Sequence, residues 1–108
     1  MTWKLWLDDD ALNVVTPERH APGGYTYALS SAQAIKLVEE NGPPFFMDLD
    51  HDLGLLQNGD CDTAMIFLKW LLNTYPDAEF EYEIHSKNPV GRANIKSYID
   101  SYVKSKTI

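Results

Sequence analysis

Three apolar runs in this chain each end in residues able to do chemistry. Trp3-Lys4-Leu5-Trp6-Leu7 runs into Asp8, Asp9 and Asp10, and Phe45-Phe46-Met47 runs into Asp48-Leu49-Asp50-His51-Asp52-Leu53-Gly54. Phe80-Glu81-Tyr82-Glu83-Ile84 runs into His85-Ser86-Lys87-Asn88-Pro89-Val90-Gly91-Arg92. Carboxylates are the hard oxygen donors that a cation such as Mg²⁺ takes, commonly one or two of them with waters and ligand oxygens completing the shell. His51 and His85 are of the type that passes protons near neutral pH. Ser86, Asn88 and Arg92 offer a hydroxyl, an amide and a guanidinium fork to an oxyanion, and a helix starting near Pro89 would add its first amides. Each group also has a plainer use. Asp runs after strands are often solvated or cap helices, a lone His more often packs or sits exposed, and Ser86 and Asn88 before Pro89 read equally well as helix caps. Position favours a shared site, because groups just past the carboxyl ends of neighbouring strands in an open α/β sheet converge on one crevice. His20 lies in an irregular stretch and carries no such signal.

These runs need elements to hold them, and the pattern is of strands alternating with helices, an α/β chain with a mainly parallel sheet. The first strand is expected over 2–7, followed by irregular chain in which Pro17, Pro22, Gly23 and Gly24 discourage a long helix. A short second strand is expected over 25–29. Ser30 with Gln33 makes a capping-box signature, Ile35 and Val38 give a stripe, and Gly42 a stop, so 31–41 reads as a helix. A third strand follows over 44–50, then a loop over 54–60. Between Asp62 and Tyr75 a helix is apolar nearly all round, leaving only Lys69 and Asn73 as a polar stripe. Such a helix is buried on several sides, which raises homodimerisation through it as an expectation. The fourth strand alternates Phe80, Tyr82 and Ile84 with Glu79, Glu81 and Glu83, the pattern of a sheet edge with one wet face, and a last helix is expected over 90–103.

With 108 residues, 44% of them hydrophobic, the chain reads as a single domain over 1–108. The net charge of −7 argues against binding duplex DNA, which calls for clustered Lys and Arg. A small anionic ligand fits if a metal neutralises the acids locally. A lone Cys61 leaves no intramolecular disulfide, no apolar stretch approaches the ~20 residues of a membrane span, and no secretory signal is evident, so the expectation is a cytoplasmic protein away from membranes.

The set Leu7-Asp8-Asp9, Leu49-Asp50-His51-Asp52-Leu53-Gly54 and His85-Ser86-x-Asn88-Pro89-x-Gly91-Arg92 resembles the cyclic-phosphate processing receiver domains, a divergent branch of the response-regulator receiver fold. The resemblance spans nearly the whole chain. It implies a receiver-like (flavodoxin-like) three-layer sandwich with strand order 2-1-3-4 and a role in processing cyclic phosphates of nucleotides or RNA ends. It further implies a divalent ion, Mg²⁺ or Mn²⁺, on Asp8, Asp9 and Asp50. His51 and His85, with Asp52 beside them, become the catalytic candidates, since opening a cyclic phosphate requires activating water and protonating the departing oxygen. Ser86, Asn88, Arg92 and Arg19 become the phosphate-binding candidates. Relatives follow the double acid closely with an Arg; here the nearest is Arg19, an equivalence that requires an insertion. Three readings follow: a metal-assisted phosphoesterase, a noncatalytic module that sequesters a cyclic nucleotide or other phosphate ligand, and, ranked last, a phospho-accepting receiver with Asp50 as acceptor.

Overall fold

The computed structural model describes residues 3–106. In chain order these form β1 (Lys4–Leu7), β2 (Thr26–Ala28), α1 (Ser31–Asn41), β3 (Phe46–Leu49), β4 (Asp52–Leu55), β5 (Cys61–Thr63), α2 (Ala64–Thr74), β6 (Glu81–Ile84) and α3 (Pro89–Lys106). Four strands make one all-parallel sheet in the order β2-β1-β3-β6. This is the 2-1-3-4 order expected, with β6 as the sheet's fourth strand, and its exposed Glu81 and Glu83 lie on the edge as their alternation implied.

Side chains along a strand alternate between faces, and here the two faces have different jobs. Leu5, Leu7, Ala28, Met47 and Leu49 face one way into a single core, which Ala34 and Val38 of α1, Phe67, Leu68, Leu71 and Leu72 of α2, and Ile95 and Ile99 of α3 complete. All three helices therefore pack on this face. Trp6, Phe46 and Asp48 face the other way, where irregular chain covers them. Tyr25 sets its ring edge-on to Trp6 and Phe46 at 5.5 and 6.3 Å, Ala11 is fully buried, and the Trp6 indole Nε1 donates to the Arg19 carbonyl at 2.9 Å. The third layer of the sandwich is thus the irregular chain between β1 and β2.

Helix α2 lies between α1 and α3, with Lys69 and Asn73 exposed as the polar stripe required. Its apolar positions are covered largely by the chain itself: Phe67, Leu68, Leu71 and Leu72 are buried and only Ile66 stands out to solvent. The reason for expecting a second copy to cover this helix therefore falls away. Ser30 caps α1, its Oγ accepting from the Gln33 amide at 3.1 Å, while Gln33 Oε1 accepts from Leu29, one residue before the cap, at 2.9 Å.

One element was not foreseen. The stretch read as loop, 54–60, lies within an antiparallel hairpin: its first two residues belong to β4, and β5 follows directly after it. Asp62, almost fully buried, ties that hairpin to the start of α1: its Oδ1 accepts from the Ser31 hydroxyl at 2.6 Å and its Oδ2 from the Ser31 amide at 2.9 Å, an amide the helix cannot satisfy internally. Among the described residues, no helix is long and apolar enough to cross a membrane.

Candidate functional site

The parallel ladder continues one residue past the ends of β1, β3 and β6. The Asp8 amide donates to the Ala28 carbonyl at 3.1 Å, Asp50 to Leu7 at 2.8 Å, and His85 to Leu49 at 3.0 Å. These three side chains are therefore held by sheet backbone, and alternation sends them to the face away from the helices. Oxygens of Asp8, Asp9 and Asp50 come within 4.8 Å of one another.

Two cations serve these acids. Arg19 Nη2 donates to Asp8 Oδ1 at 2.7 Å, Asp9 Oδ1 at 2.8 Å and Asp50 Oδ2 at 3.2 Å; its Nη1 reaches Asp10 Oδ2 at 3.1 Å and its Nε reaches Asp8 Oδ2 at 3.2 Å. His85 stacks flat on Trp6, centroids 4.2 Å apart and 8° between planes, with Nδ1 2.7 Å from Asp48 Oδ1 and Nε2 2.9 Å from Asp8 Oδ2. Burial works against a charge on this ring, but the hydrogen bonds with Asp48 and Asp8 outweigh it and hold its pKa up at about 9. His85 is therefore an imidazolium at neutral pH with both nitrogens engaged, and a proton relay through it would have to displace Asp48 or Asp8.

Among the described residues, the cations that Asp8, Asp9, Asp10, Asp48 and Asp50 meet are Arg19 and His85, so negative charge is in excess. The acids feel it unequally. Burial pushes Asp8 up, but hydrogen bonds from His85 and Arg19 outweigh it and pull the carboxyl below the ordinary range. Asp50 is pushed up, first by burial and then by the charge of Asp8. Asp9 is pushed up by burial, with Asp8 and Asp10 adding to it and Arg19 opposing.

The remaining candidates divide. Asp52 lines the crevice beside this cluster, its carboxyl held below the ordinary range chiefly by the hydrogen bond from His51, whose Nδ1 is 3.0 Å away. His51 itself does not line the crevice. It packs against α3 at Gly91, where a Cβ would overlap the histidine side chain, which explains why the first turn of α3 needs a residue without one. Asn88 caps α3, its Oδ1 accepting from the Val90 and Gly91 amides at 3.1 Å each, and its Nδ2 reaches Asp52 Oδ2 at 3.2 Å. The Asn88 amide donates to Ser86 Oγ at 3.2 Å and the Arg92 amide to the Asn88 carbonyl at 2.9 Å. The amides expected to receive an anion at this helix start are therefore occupied, and Pro89 has none. Arg92 turns away from the crevice, Nη1 donating to the carbonyls of Ile84 at 2.8 Å and Ser86 at 3.1 Å.

Above the acids opens a crevice of about 500 Å³, walled by Asp9, Arg19, Asp50, Asp52, His85, Ser86 and Asn88. Thr16, Glu18, Gly54 and Lys87 line it too and were not singled out by sequence. Gly54 takes φ 86°, open to glycine at little cost, and a Cβ there would meet Asp9 Oδ2 at 3.6 Å. The Asp-Leu-Gly motif was the available signal for it. Thr16 and Glu18, in irregular chain, had none.

A parallel sheet ordered 2-1-3-4 with acids beyond its first and third strands defines a receiver-like α/β domain. The family model described as "Cyclic-phosphate processing Receiver domain" matches residues 3–101, and the chain belongs to that family. No curated protein and no solved structure matches it.

Proposed function

We propose that this domain is a divalent-cation-dependent phosphoesterase acting on cyclic phosphates of nucleotides or RNA ends. The observation that carries the reading is the under-neutralised carboxylate cluster at the floor of a crevice large enough for a nucleotide-sized ligand. A phosphate entering as the crevice stands would meet Asp9, Asp50 and Asp52 with Lys87 as the exposed cation nearby. That is repulsive unless further positive charge arrives.

The donor set fits a hard cation: Asp8, Asp9 and Asp50 offer closely spaced oxygens on two adjoining strand ends, with no soft ligand among them. A Mg²⁺ or Mn²⁺ ion held there would offset the acids and polarise phosphoryl oxygens. The protein's own groups do the rest. His85 and Trp6 fix the orientation of Asp8, the sheet ladder fixes Asp50, and the Asn88 amide and Ser86 border the space a phosphoryl group would fill. Asp52, which lines the crevice but stands outside the donor set, is a carboxylate left to accept a proton from water.

A second reading has its own support. His85 is clamped between two carboxylates and His51 lies off the crevice, which leaves neither histidine free to act on a ligand and favours a module that binds a cyclic nucleotide without turnover. A panel of 2′,3′- and 3′,5′-cyclic nucleotides and cyclic-phosphate RNA ends, each with and without Mg²⁺ or Mn²⁺, separates the two. Cation-dependent opening of one substrate class is the expected result. Saturable binding with no product moves the module ahead, and neither binding nor product refutes both.

A further inference from the structure

Arg19 Nη2 stands within 2.7, 2.8 and 3.2 Å of oxygens on the same three acids, Asp8, Asp9 and Asp50, that form the carboxylate cradle. One guanidinium nitrogen thus occupies the point where those oxygens converge. We propose that Arg19 is a displaceable counter-ion: the guanidinium and a divalent cation are alternative occupants of the cradle, and the cation's arrival turns Arg19 out into the crevice, where its fork grips the phosphate of the ligand. This inference rests on the cation reading above.

Three features support an exchange rather than a fixed ion pair. The two occupants cannot share one position, because a cation coordinated by these oxygens and a nitrogen hydrogen-bonded to them require the same space. Second, Arg19 is carried by irregular chain and its side chain is 34% exposed, already at the crevice wall, so its exit needs no movement of the sheet. Its backbone can stay in place meanwhile, since the carbonyl is held by the Trp6 indole at 2.9 Å and the amide by the Thr16 carbonyl at 2.9 Å. Third, the other cation of the site is built differently. His85 is flat against Trp6, clamped from both ring nitrogens and only 14% exposed, so it stays while Arg19 leaves. A freed guanidinium has the planar geometry that binds two phosphate oxygens at once, which Lys87 lacks. The device makes phosphate binding depend on the cation twice, once through its charge and once through release of Arg19.

Mn²⁺ binding to the full chain, read from the electron paramagnetic resonance of the free ion, tests the exchange without relying on turnover. Arg19→Ala removes the competitor, so it should bind Mn²⁺ at least about tenfold more tightly than wild type. Arg19→Lys, which keeps a charge of shorter reach, should tighten by a smaller factor and serves if the alanine variant does not fold. In the second arm inorganic phosphate is the probe: wild type should retain it when Mn²⁺ is present, and Arg19→Ala should lose most of that affinity. Equal or weaker Mn²⁺ binding by both variants overturns the exchange while leaving the cation reading intact. Absence of Mn²⁺ binding from all three proteins overturns both. Tighter binding by the variants, with no turnover of any cyclic phosphate by wild type, upholds the exchange and refutes only the phosphoesterase.

Discussion

Raising the pH from about 6 to about 10 should strip the wild-type protein of stability that a His85→Gln variant never had. Burial of the His85 ring disfavours its charge, yet the hydrogen bonds with Asp48 and Asp8 prevail and lift its pKa from 6.5 to about 9. A group whose folded pKa lies above its unfolded one stabilises fully below the unfolded value and loses that contribution as pH climbs through the folded one. Stability should therefore be flat below pH 6.5, fall by about 1.4 kcal/mol per pH unit in the window, and level off above pH 9, a total of about 3 kcal/mol. Glutamine fills similar space and can hydrogen-bond but cannot titrate, so the difference between the two proteins isolates this ring from His20, His51 and the amino terminus. Urea unfolding at closely spaced pH values gives the curve, and the ¹⁵N shifts of the imidazole give the protonation state directly. A difference that stays constant from about pH 6 to 10 would refute the charged clamp.

Gly91→Ala should destabilise the fold by about 1–3 kcal/mol because its Cβ collides with His51, and adding His51→Ala should recover part of that loss in urea unfolding. Asn88→Ala removes the acceptor for two first-turn amides of α3 and should cost about 1 kcal/mol by the same assay. Asp50→Asn should raise the melting temperature of the metal-free protein at neutral pH, since burial and the charge of Asp8 oppose ionisation of this carboxyl, and the gain should fade as acid protonates the wild-type group. The same variant should no longer be stabilised by Mn²⁺; a shift in melting temperature equal to wild type would remove Asp50 from the ligand set.

The sheet was legible because its strands say both where they run and which side is wet: leucines alternate with Trp6 and Asp8 in the first, and glutamates with Tyr82 and Ile84 in the last. The convergence of Asp8, Asp9 and Asp50 followed from the same topology, as did the arrival of Asp52, Ser86 and Asn88 at the crevice. His51 lies off the crevice, which its neighbours in sequence do not reveal. It lies between Asp50 and Asp52 and shares their motif, but the alternation that sends Asp48 and Asp50 to one face leaves His51 on the other, and counting by twos along the strand would have shown it. The hairpin was hidden because β4 is interrupted by a glycine at φ 86° and β5 is only three residues long, too short for a periodic signal. Arg19 was legible only through the family resemblance. Its partners are brought to it by the fold of irregular chain, which no periodicity encodes, and the same holds for Thr16 and Glu18.

The division of β1 and β3 into a greasy face and an acidic one has a consequence for how this domain can change. Deleting or inserting a single residue inside either strand would rotate every following side chain by half a turn, sending carboxylates under the helices and leucines into the crevice. Core and site would fail together, so neither can drift in length without the other. The chain between β1 and β2 and the tip of the hairpin carry no such constraint, and the first of them bears Thr16, Glu18 and Arg19. New ligand preferences can therefore be grafted by exchanging these two connections while the acids stay anchored, and a scan of single-residue insertions along the chain should show tolerance in those two segments and collapse in the strands.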